Sequence, residues 1–124
     1  MRFSLAVCLV FLTIFVVPIL IYGTLSRLTG LQPPGPDPWA FLAGVAVSKF
    51  GTALAFVGIW ALGRETLGAN WGLYVMLWWI MFVFGEVGQA IGPDYSWQEA
   101  FAGILSETIY LPISGLIVTR ILPA

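Results

Sequence analysis

The chain contains no histidine and a single cysteine, Cys8. The first absence removes imidazole haem ligation, His-based zinc sites and the commonest general base. The second leaves no internal disulfide, and Cys8, inside an apolar run, reads as a small core hydrophobe. Charge is also scarce. Only 9% of residues are charged, for a net charge of −1, and the basic residues are scattered rather than blocked together. That pattern excludes electrostatic capture of nucleic acid and polybasic docking on anionic lipid. No internal repeat is visible, so an inverted-repeat carrier made by duplication finds no support. A phosphate-binding loop, a metal-ligand cluster and a nucleophile beside a base are all missing from the sequence. No catalytic residue, metal site or cofactor is therefore assigned, and an enzyme is disfavoured.

What the chain does have is apolar sequence. With 60% hydrophobic residues and a mean hydropathy of +0.97, its polar residues are too few to cover a water-soluble fold of 124 residues. The expected solvent is lipid. A helical span needs about 20 residues to cross a hydrocarbon core of about 30 Å, so the length accommodates four spans and no separate aqueous domain. The expected fold class is an all-α membrane protein, a single transmembrane domain over residues 1–124 with four transmembrane helices in an up-down-up-down bundle.

Local signals set the boundaries. The first span, 3–24, follows Arg2 and is too long to be a cleaved signal peptide. A Pro-rich loop over 25–37 follows, because its prolines remove backbone donors and fix φ. Asp37 is then placed to cap a second span, 38–62, with Pro38 at its first position and Trp39 at the interface. Gly63 to Ala69 reads as a short polar turn, and Asn70 as the cap of a third span, 70–91. Gly92-Pro93 is a stop, and Ser96-Trp97-Gln98-Glu99 matches a capping box opening a fourth span, 97–122. Arg2, Arg64 and Arg120 then share one side against Arg27 on the other. The expectation is a multi-pass protein of a plasma or bacterial inner membrane with both termini cytoplasmic.

Three charges interrupt these apolar spans: Lys49, Glu86 and Glu107. An ionised group costs about 2.5 to 3.5 kcal/mol at the centre of a membrane helix, so such groups normally face a partner or a wet cavity. Lys49 lies 12 residues after Asp37 and Glu107 lies 11 after Ser96, on helices that start from the same side. Both reach about 16 to 18 Å deep, level with each other, while Glu86 lies nearer that surface. One lysine neutralises one carboxylate. The second must hold a proton, bind a cation or sit in water. Tyr110 and Ser114 share a face of the fourth span with Gly103 and Glu107, and Gln89 shares one of the third with Glu86.

The candidate binding or ion-coupling residues are thus Lys49, Glu86, Glu107, Gln89, Tyr110 and Ser114. They suggest a small proton- or cation-coupled transporter or channel, homo-oligomeric or assembled with a partner membrane subunit in the lipid bilayer. The alternative is a non-catalytic subunit or assembly factor of a larger membrane complex, in which a Lys49–Glu107 pair only holds helices in register. The ridges Gly44-x-x-x-Ser48 and Gly85-x-x-Gly88-x-x-x-Gly92 are assigned to helix packing. Trp78 and Trp79 lie deep enough to meet either another helix or a ligand.

Overall fold

A computed structural model describes residues 1–30 and 37–123. Within them the protein is all helical: α1 (Arg2–Thr29), α2 (Pro38–Leu67), a 3-10 turn (Gly68–Asn70), α3 (Trp71–Ile91) and α4 (Trp97–Ile121). The expected Pro-rich loop begins later than anticipated, since α1 runs on to Thr29, and its segment 31–36 lies outside the described residues. Gly30 ends α1 in the left-handed region, φ 74°, with its N–H bonded to the Ser26 carbonyl. Asp37 caps α2 by accepting from the Trp39 N–H at 3.0 Å. At α4 both halves of the capping box form: Glu99 N–H donates to Ser96 Oγ at 3.1 Å and Ser96 N–H to Glu99 Oε2 at 2.8 Å.

Four separate spans are not matched. Three helical stretches are long and apolar enough to cross a membrane, Arg2–Leu28, Pro38–Ile91 and Trp97–Ile121. The expected polar turn at Gly63 to Ala69 is helical, because Gly63 does not take a left-handed conformation and good helix formers follow it. Asn70, expected to cap α3, makes no side-chain capping bond. The 54-residue middle stretch nevertheless turns back on itself. Phe56 and Tyr74 would stand about 27 Å apart along a straight helix, yet their ring centroids are 5.0 Å apart and the Tyr74 hydroxyl donates to the Phe56 carbonyl.

Packing divides the molecule into two halves. The half holding the start of α1, the end of α2, the start of α3 and the end of α4 carries the hydrophobic core: Val10, Ile14, Phe56, Trp60, Tyr74, Leu111 and Val118. Trp60 Nε1 donates to the Leu122 carbonyl at 2.8 Å, occupying an acceptor left free at the end of α4. α4 is the central element, packed on both α1 and α3. Of the 18-residue apolar windows in the three stretches, that of α4 is 50% buried against 22% and 17%. The other half contains a cavity.

The glycine ridges do not pack as expected. A Cβ at Gly44, Gly85 or Gly88 would meet nothing within 4 Å, because these positions face outward. Close approach occurs at Gly115, where a Cβ would lie 2.4 Å from Val75 Cγ2, and at Gly103.

Candidate functional site: a cavity with carboxylates at its inner end

The cavity has a volume of about 510 Å³ and is lined from all four α-helices and the α3–α4 turn. Lys49, Glu86, Glu107 and Tyr110, four of the residues singled out in the sequence, line it together. Ser114 and Gln89 do not. Ser114 is fully buried, one turn beyond Tyr110 within the core half, and its Oγ has no hydrogen-bond partner. Gln89 is exposed, since the helical face it shares with Glu86 is wider than the strip that α4 covers.

Glu86 is fixed from two sides. Its Oε2 accepts from the Tyr95 hydroxyl at 2.6 Å, and its carboxylate rests against Gly103, where a Cβ would come within 2.2 Å of Oε1. Glycine at 103 therefore makes the space this carboxylate occupies. A phenol carries one hydrogen. With that of Tyr95 committed to Glu86, Tyr22 donates its own to the Glu99 carbonyl at 3.1 Å, and the two phenol oxygens stand 3.4 Å apart. Burial first, then the bonds to Glu86 and Tyr22, push the Tyr95 phenol above its ordinary pKa. It remains a donor to Glu86 throughout the physiological range.

Lys49 does not pair with Glu107. Among the described residues no lysine or arginine nitrogen lies within 4.0 Å of a carboxylate oxygen. The Lys49 ammonium instead donates to the Tyr110 hydroxyl at 3.3 Å and lies 5.0 Å from the ring centroid. Tyr110 stands one turn after Glu107 on α4, so its phenol takes the lysine that the depth argument gave to the carboxylate. Glu107 itself is 5% exposed, and its Oε2 has no hydrogen-bond partner. A buried acceptor left without a donor costs about 1 to 3 kcal/mol, and more when it is charged. This atom is the most under-satisfied group in the cavity wall.

Sequence reasoning missed Tyr22, Tyr95 and Ser106, which also line the cavity. A compositional signal existed: the chain has four tyrosines against nine phenylalanines, and three of the four line this one space. The deep tryptophans, by contrast, serve packing. Trp78 packs tilted on Phe56 and edge-on to Tyr74 and Phe82, and Trp79 Nε1 donates to Thr108 Oγ1 at 2.9 Å.

Chemically, the arrangement offers two neighbouring carboxylates, Glu86 from α3 and Glu107 from α4, the first held by the Tyr95 phenol and the second with Oε2 lacking a donor. Tyr95 and Glu86 form a hydrogen-bonded path from the α3–α4 turn towards Glu107, with the Tyr22 hydroxyl of α1 beside it. The chain matches no family model, no curated protein and no solved structure, so its function rests on this geometry alone.

Proposed function

We propose that the protein is a small integral membrane protein that crosses the bilayer four times, with both termini cytoplasmic, and works as a proton- or cation-coupled transporter or channel. The fold-back between Phe56 and Tyr74 supports four crossings from three helical stretches. Exposed apolar side chains such as Leu62, Leu77, Met81 and Phe84 support a lipid-facing exterior. The single observation that carries the coupling role is Glu107, buried on the cavity wall with an oxygen that lacks a donor. A proton or a cation satisfies that oxygen, and its loss restores the unsatisfied state, which is the property a coupling site needs. Glu86 and its phenol partner Tyr95 serve as the outer relay, and Lys49 keeps the local charge from accumulating.

The test is proton flux in liposomes reconstituted with purified protein, read with an internal pH dye. Wild type dissipates an imposed pH gradient, and Glu107→Gln reduces the rate at least tenfold while remaining monodisperse. If wild type moves neither protons nor cations and Glu107→Gln loses a co-purifying membrane protein, the chain is instead a subunit or assembly factor.

A further inference from the structure

The walls and size of the cavity narrow the chemistry of what Glu107 accepts. A proton or a bare metal ion needs a few converging oxygens, not a space of about 510 Å³. Among the described residues no three acidic or cysteine side chains gather closely enough to hold a metal. The volume falls within the range of about 300 to 1,000 Å³ typical of small-molecule sites. Phe15, Ile19, Phe41 and Val45 give it apolar and aromatic sides. Among the described residues, charge on the lining is one-sided: Glu86, Asp94, Glu99 and Glu107 accompany a single cation, Lys49, whose ammonium is already engaged by Tyr110. Glu99 accepts from Ser96 N–H and Glu86 from Tyr95. Glu107 Oε2 alone among these deep acceptors is more than nine-tenths buried, set in the cavity wall and without a donor.

We propose that this cavity binds a protonated organic amine with an apolar body, its ammonium N–H donating to Glu107 Oε2 and its hydrocarbon part lying against Phe15, Ile19 and Phe41. The proposal rests on the reading of Glu107 as a cation acceptor and names the class of cation. An ammonium supplies both things the site lacks, a donor for Oε2 and positive charge for an acid-rich lining. A carboxylate ligand of the same size would place its charge against Glu86 and Glu107 and is rejected.

Binding is measured by calorimetry on the full chain in lipid nanodiscs, with empty nanodiscs as the partition control. The probes are 2-phenylethylamine and 3-phenylpropanoate at neutral pH. The amine binds saturably and the carboxylate does not. Glu107→Gln weakens amine binding by at least about tenfold, the usual consequence of truncating one member of a buried charged hydrogen bond. Lys49→Met, which removes the competing resident cation, tightens it several-fold and decides the matter if the Glu107 variant fails to fold. Absence of saturable amine binding, equal binding of the carboxylate, an unchanged affinity in a folded Glu107→Gln, or an unchanged or weakened one in Lys49→Met would overturn the proposal. The liposome flux assay separates it from the transport reading. Amine binding without flux keeps the site and ends the coupling role, whereas proton flux without amine binding does the reverse.

Discussion

At the scale of single residues, two glycines on α4 separate function from stability. Alanine at 103 puts a methyl group where Glu86 Oε1 now lies, and that oxygen is the far end of a flexible side chain. The carboxylate swings aside and gives up its bond to Tyr95, so Gly103→Ala should lose most of the flux while the melting temperature stays within a few degrees of wild type. At Gly115 the methyl meets Val75 Cγ2 at 2.4 Å and the Trp71 ring at 3.1 Å, inside a packed helix contact. Gly115→Ala should cost about 1 to 3 kcal/mol by overpacking, seen as a lower melting temperature in detergent with the cavity chemistry retained in the folded fraction. The buried charges were legible in the sequence because Lys49, Glu86 and Glu107 break apolar runs. Their partners were not. Depth along a helix follows from residue counting, so Lys49 and Glu107 could be set level, but the rotation of each helix about its axis is fixed only by its neighbours. That rotation gave Lys49 to Tyr110, turned Gln89 outward and sent Ser114 into the core.

At the scale of elements, the helix starts were legible and two helix ends, those of α1 and α2, were not. Asp37 and Ser96 act through bonds within three residues of themselves, so sequence is enough to read them. The join between α2 and α3 depends on Phe56, Trp60, Tyr74 and Trp78 meeting across the fold-back, and no local pattern records that contact. Gly63 accordingly stays helical where a stop was expected. The start of α4 has a second task, because the Glu99 carbonyl accepts from Tyr22 and thereby ties α1 to the cavity rim. Ser96→Ala removes the Oγ acceptor for the Glu99 N–H and should cost about 0.5 to 2 kcal/mol. Thermal unfolding followed by circular dichroism checks this. Tyr22→Phe, which leaves the cap intact, should change stability less and slow the flux more.

At the scale of the whole molecule, the question is how many times the chain crosses the membrane. The middle stretch of 54 residues would extend about 81 Å if straight, nearly three times a hydrocarbon core of about 30 Å. The contacts of Tyr74 with Phe56 and Trp60 require instead that it fold into two antiparallel arms, one on each side of the 3-10 turn. In the proposed arrangement each arm crosses once, which would give four crossings and return both termini to the side of Arg2, Arg64 and Arg120. Three crossings would put the termini on opposite sides. Position 66, just before the turn, and position 98, at the start of α4, are exposed and lie at opposite ends of the molecule. In a Cys8→Ser background, Gln98→Cys should react with a membrane-impermeant maleimide on intact cells, and Thr66→Cys only after permeabilisation. Labelling of both positions from the same side would remove the four-crossing arrangement. Labelling of Thr66→Cys alone on intact cells would keep the four crossings and invert the protein, turning the α3–α4 end of the cavity towards the cytoplasm.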